Sequence, residues 1–190
     1  GFYGWCSDGV AKKVKIAGGR PVYGWTIWEW PNVILTAEFH CVWQDSGGAL
    51  VDITPKPKRE TRILFVPDPS VPIDFDFDLR PGNKRTRSYV EADRASLARA
   101  KALGLNAGQR AYEERRAAKS GLSLEDWLEA KLPVDPLPSA IDDWIKACNT
   151  HEAYFDTLGG AGQVIVDAKL IAFMRERVAA QTKSKALLRA

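Results

Sequence analysis

The stretch from Val22 to Thr54 constrains the fold more than any other part of the chain. Val22 to Trp30 and Val33 to Gln44 are dense in aromatic and β-branched residues, and Pro31-Asn32 marks a turn between them. Asp45-Ser-Gly-Gly48 then reads as a hairpin loop, followed by a third strand over Ala49 to Thr54. Ile63 to Val66 supplies a fourth, short strand. Ahead of this antiparallel meander, Ser7 to Ala17 reads as one short helix, with Val10, Val14 and Ala17 on one face. Gly18-Gly19 stops it, and Pro21 prevents it from resuming.

The chemistry of the chain changes near residue 88. Five of the seven tryptophans lie before residue 80, whereas Ala, Leu, Glu, Arg and Lys dominate the remainder, which reads as helices. The expected helices are Tyr89 to Leu103, Ala107 to Lys119, segments opening at Ser123 and Ser139, and Gln163 to about Thr182. Ser123-Leu-Glu-Asp126 and Ser139-Ala-Ile-Asp142 both match the capping-box pattern. Trp144, Ile145, Cys148, His151, Phe155 and Leu158 form an apolar stripe, and Ile171, Met174 and Val178 share a face of the last helix. The expected organisation is a core over 1–80, a turn-rich basic connector over 81–88, and a helical region over 89–190. With 190 residues there is enough chain for one full core plus a helical appendage.

A net charge of +3 is too small to announce a nucleic-acid binder, and clusters such as Lys84, Arg85 and Arg87 read as solvated faces. No apolar run approaches the roughly 20 residues of a membrane helix. Cys6, Cys41 and Cys148 are an odd number, with no C-x-x-C and no zinc-finger spacing, which suits a reducing, cytoplasmic compartment. Starting at Gly1 rather than Met is what a processed or trimmed product would show. Oligomeric state is not encoded in any of these features.

Three residues carry a chemical pattern. A thiol nucleophile needs a stabilised thiolate, a base and an oxyanion donor. Cys6 opens the first helix, where backbone N–H groups and the helix dipole favour anions. His40 lies mid-strand, and Asp52 lies on the partner strand across the glycine loop. If Gln44 pairs with Gly48, His40 falls directly opposite Asp52, at the separation a carboxylate needs to orient an imidazole. A one-residue slip would put them on opposite faces.

The order of these residues resembles the transglutaminase-like branch of the papain-type cysteine enzymes. The likeness is carried by Trp5-Cys6 before a helix, Phe39-His40-Cys-Val-Trp43 on a strand, and Leu50-Val-Asp52-Ile-Thr-Pro55. Gly24-Trp-Thr-Ile-Trp-Glu-Trp30 with Ala37-Glu-Phe-His40 also resembles small bacterial and phage proteins of unassigned role. The resemblance spans residues 1 to about 67. It implies an α+β papain-like fold, with an N-terminal helix on an antiparallel sheet, and a Cys6, His40, Asp52 triad. It implies thiol-dependent acyl chemistry on an amide of a protein or peptide substrate, with no cofactor. Only five residues precede Cys6, and none is the glutamine that papain-type enzymes use at the oxyanion. A side-chain donor must therefore come from Trp5, Tyr3 or a residue downstream.

Other readings stand beside this one. Cys6 as a buried thiol, His40 as a core histidine and Asp52 as a strand terminator would suit a binding or assembly protein without turnover. A metal site on Cys6, His40 and Asp52 would need Glu38 as its fourth ligand. Trp5, Trp25, Trp28 and Trp43 are candidates to line a substrate groove, and Trp25 falls on the opposite strand face from Trp28 and Trp30. Cys148 and His151 read as helix packing. Asp74, Asp76 and Asp78 read as a solvated edge strand or as partners for the basic connector.

Overall fold

The computed structural model describes residues 6–56, 60–160, 163–164 and 166–189. The protein is α+β, about half of it helical, with an antiparallel sheet. Helix α1 (Cys6–Ala17) precedes strands β1 (Arg20–Trp30) and β2 (Ile34–Gln44), which pair along their whole length. The short strands β3 (Leu50–Val51), β4 (Leu64–Pro67) and β5 (Lys84–Arg87) complete the sheet. The order is β3-β2-β1-β4, and β5 also pairs with β2.

The local causes are the expected ones in the first half. Gly18 and Gly19 adopt φ of 70° and 80°, ending α1 in backbone that residues with a Cβ resist. Asn32 takes φ 58° after Pro31, and the Val33 N–H closes the turn on the Trp30 carbonyl at 3.0 Å. Strand alternation then sorts the side chains. Tyr23, Phe39 and Cys41 share one face and meet Val10 of α1, together with Phe75 and Phe77, in a buried cluster. The other face carries Gly24, Thr26, Trp28, Glu38 and His40.

The acidic run is not a strand. Phe77–Leu79 is a 3₁₀ turn capped by Asp76, whose carboxylate accepts the Asp78 N–H at 3.0 Å. Both rings reach the core: Phe75 packs edge-on to Tyr23 and Phe39 at 5.5 and 5.6 Å, while the three aspartates stay exposed. Repulsion on a shared strand face is thereby avoided. The segment read as a basic connector contains β5, because β2 offers it a free edge from Ile34 to Ala37.

Backbone contacts divide the chain into two compact units, Gly1–Tyr89 with Ser139–Ala190, and Val90–Pro138. The smaller unit holds α2 (Arg94–Leu103), α3 (Ala107–Lys119) and α4 (Leu124–Ala130), packed on Ala98, Ala102 and Leu128. Helix α2 starts five residues later than expected from Tyr89, because Asp93 caps it by accepting the Ser96 N–H at 3.2 Å. Ser123 caps α4 as read from the sequence, taking the Asp126 N–H at 3.1 Å. Ser139 does not cap: α5 (Leu137–Thr157) begins two residues earlier, where Asp135 accepts the Leu137 N–H and Pro138 suits the first turn. The last helix, α6, runs Ala168–Leu187 behind an Asp167 cap rather than from Gln163.

In the larger unit, the segment 80–87, which includes β5, is tied to α5 by charge. Arg80 meets Asp156 at 2.6 Å, Arg85 meets Glu152 at 2.6 Å and Asn149 at 2.8 Å, and Arg87 meets Asp142 at 3.2 Å. The arginines that looked like a solvated patch are partners of α5.

Candidate active site

The site forms in a gap along the outer edge of β2. Strand β5 covers that edge up to Ala37, and β3 covers it from Trp43. Between them the N–H groups of Phe39 and Cys41 point outward, and among the described residues no strand receives them. Asn83 Oδ1 takes the first at 3.2 Å, and Cys6 Sγ takes the second at 3.3 Å. Every buried N–H needs an acceptor, and here two side chains serve.

Cys6 reaches this gap because it is the first residue of α1, whose inner face is pinned to the sheet by Val10. Trp43 holds the other end of the helix by donating Nε1–H to the Gly18 carbonyl at 2.9 Å.

Asp52 arrives by a different register from the one expected. The glycine in left-handed backbone is Gly48, at φ 87°, so it closes the loop. The Asp45 N–H bonds the Ala49 carbonyl at 3.0 Å, and Gln44 pairs with Leu50 rather than Gly48. The shift is two residues, so Asp52 stays on the His40 face and becomes its diagonal neighbour. Asp52 Oδ1 lies 3.1 Å from His40 Nε2 and accepts the Thr54 N–H at 2.9 Å. Lys56, which sequence reasoning passed over, places Nζ 2.5 Å from Asp52 Oδ2; the two side chains are 12% and 10% exposed. A lysine four residues beyond a candidate carboxylate was the available signal.

Both neighbours act on the His40 ring. Burial alone would lower its pKa, but the hydrogen bonds to Asp52 and to the Cys6 thiol, with their charges, raise it to about 9. Burial opposes ionisation of Asp52 too, yet hydrogen bonds from His40, Lys56 and the Thr54 N–H hold it well below the usual carboxylate range. Phe65 of β4 packs edge-on to His40 with ring centres 6.5 Å apart. It has room because the residue paired with His40 is Gly24, where a Cβ would meet the Phe65 ring at 2.9 Å.

The tryptophans divide by face, as strand alternation requires. Trp28 shares the His40 face, donates Nε1–H to Glu38 at 2.8 Å and has the Lys56 ammonium 5.9 Å from its ring centre. Trp25 lies on the helix face, against Phe39 and under Lys84. Trp43 is occupied with Gly18 and Lys13. Trp5 and Tyr3 lie outside the described residues. Among the described residues, no group of three or more His, Cys, Asp and Glu side chains converges as metal ligands, and Glu38 is bonded to Trp28.

The other two thiols are Cys41 and Cys148. Burial, then the nearby Cys6, pushes Cys41 up to about 12. Cys148 is also raised, chiefly by burial, and His151 beside it is lowered by burial and by Arg177. No protein-family model matches this chain, and neither a curated protein nor a solved structure does.

Proposed function

We propose that the protein performs thiol-dependent acyl chemistry on an amide: peptide or isopeptide hydrolysis, deamidation, or transfer to an amine. The observation that carries this reading is that Asp52 Oδ1 lies 3.1 Å from His40 Nε2, while Cys6, its sulfur on the N–H of the next residue, Cys41, helps to raise the pKa of the same ring. It agrees with the resemblance to transglutaminase-like enzymes, and a protein or peptide is the substrate that chemistry implies.

In the proposed cycle, the Cys6 thiolate attacks the amide carbon and the carbonyl electrons move to oxygen. As that tetrahedral oxyanion collapses, the C–N bond breaks and the His40 imidazolium gives its proton to the departing nitrogen. A thioester remains on Cys6. Water or an amine, deprotonated by the now neutral His40, then attacks it and releases the thiolate. Asp52 fixes the ring tautomer throughout, and Lys56 keeps Asp52 ionised. The Cys6 backbone N–H, at the start of α1, is one oxyanion donor. Trp28, on the His40 face, is better placed for a substrate groove than Trp25 or Trp43.

Iodoacetamide labelling followed by mass mapping tests the nucleophile. Cys6 is expected to react fastest at neutral pH, His40→Ala to slow it, and Asp52→Asn to slow it less. Equal labelling of Cys6, Cys41 and Cys148, or a Cys6 rate indifferent to His40, would favour a second reading. That reading is a binding or assembly protein that keeps the fold without turnover. It draws on the separate helical unit Val90–Pro138, whose core takes no part in the triad.

A further inference from the structure

The triad leaves one requirement of acyl chemistry unmet. A tetrahedral oxyanion is normally held by two donors, and the Cys6 N–H at the helix start supplies one of them in the proposed cycle. We propose that the side-chain amide of Asn83 is the second oxyanion donor, an inference that rests on the acyl-chemistry reading.

Asn83 stands at the same gap in the edge of β2 as Cys6. Successive outward N–H groups on a strand are separated by two residue rises, roughly 7 Å. Asn83 Oδ1 and Cys6 Sγ each sit just over 3 Å from one of these neighbouring groups, at 3.2 and 3.3 Å. They therefore stand abreast along one edge, close enough for a carbonyl carbon bonded to sulfur to direct its oxygen toward the amide. The β5 register, continued one step past the Ala37–Lys84 pair, sets Asn83 opposite Glu38 and so on the face that bears His40.

The Phe39 N–H also fixes the amide's orientation. A donor must face the carbonyl oxygen, so Oδ1 is the atom turned to the strand and Nδ2 is turned away from it. Among the described residues, Nδ2 has no acceptor. The backbone beneath it is held firmly: the Asn83 N–H donates to Glu152 Oε1 at 2.9 Å, and Glu152 is itself paired with Arg85 at 2.6 Å. A preorganised donor with a free N–H is what stabilising a developing oxyanion requires.

The test compares two reactions of the same thiol. Acylation by p-nitrophenyl acetate passes through an oxyanion; alkylation by iodoacetamide does not. Asn83→Asp keeps an oxygen for the Phe39 N–H but removes the donor. Its acylation rate is expected to fall about 100-fold, the cost of losing one oxyanion donor. Its alkylation rate, taken at the plateau of its own pH profile, should stay within about threefold, with the melting temperature held. Asn83→Ala should lose acylation similarly but also lose stability. Equal loss of both reactions would make Asn83 a residue that merely positions Cys6, and no loss of acylation would remove it from the site; either result overturns the proposal. If the native protein alkylates but never acylates, the acyl-chemistry reading itself fails and this inference falls with it.

Discussion

His40 is one of only two histidines in the chain, so its titration can be followed directly. Its pKa of about 9 is the sum of opposed effects: burial pulls it down, while hydrogen bonds and charge from Asp52 and Cys6 pull it up further. Relative to an ordinary histidine near 6.5, the rise corresponds to about 3 kcal/mol in favour of the imidazolium. Asp52→Asn removes the carboxylate charge 3.1 Å from Nε2 and leaves the burial in place. The His40 midpoint should therefore drop by about two units or more, to the ordinary value or below it. The imidazole Cε1–H resonances, followed by NMR from pH 5 to 10, give the answer, with His151 as an internal control already displaced downward. Linkage gives a second readout. Because the folded pKa is raised, this stabilisation is complete below about 6.5 and is lost as pH rises through about 9. The difference in urea stability between native protein and variant should shrink over that window. A native midpoint near 6.5, or a variant shift under one unit, would refute the electrostatic account of the triad.

Three further outcomes follow from other contacts. Glu152→Ala, which unpairs a largely buried Arg85 and frees the Asn83 backbone, should cost about 2–4 kcal/mol in urea unfolding; a loss below about 0.5 kcal/mol would contradict the tie between β5 and α5. Gly19→Ala should cost clearly more than Gly48→Ala, since both have positive φ but only at Gly19 would a Cβ strike backbone, 2.1 Å from the Gln44 carbonyl oxygen; equal melting temperatures would be the adverse result. Trp43→Phe should lower stability by about 1 kcal/mol through loss of its bond to Gly18 while leaving Cys6 alkylation unchanged, and a change in alkylation with no loss of stability would move Trp43 into the site.

The elements near the N-terminus were legible because their signals are local. The α1 face of Val10 and Val14, the two glycines behind it and the Pro31-Asn32 turn each act within a few residues. The reading weakened where tertiary partners decide. Lys84 to Arg87 looks like a solvated basic run until α5 supplies Glu152 and Asp142, and Asp74 to Leu79 looks like a strand until Phe75 and Phe77 are both drawn into the Tyr23 cluster. Lys56 and Asn83 were missed for a similar reason. Lys56 becomes informative only once Asp52 is singled out, its i,i+4 spacing being the one local signal, and Asn83 only once the free edge of β2 is in place.

The hairpin shows how the proximity of His40 and Asp52 can be legible when their register is not. Parity, rather than exact pairing, decides whether His40 and Asp52 share a face, and a two-residue shift preserves parity. What ends β3 then matters more than where it begins. Asp52 turns its carboxylate onto the Thr54 N–H two residues ahead, a local bond that competes with the ladder, and Pro55 follows without an N–H to offer. Had the strand continued in register, Ile53 would face Cys41 and its carbonyl would claim the Cys41 N–H. Instead Ile53 packs toward α1, near Gly9, and the N–H is left for the sulfur of Cys6. The same aspartate thus orients His40 and stops the strand, which opens the edge where the thiol sits. Asp52→Ala should for this reason disturb the position of Cys6 as well as the ionisation of His40, whereas Asp52→Asn, which keeps Oδ1 for Thr54, should disturb only the ionisation. A Cys6 alkylation plateau, above the His40 midpoint, that is lower in Asp52→Ala than in Asp52→Asn would support this dual role; identical plateaus would reduce Asp52 to an electrostatic partner alone.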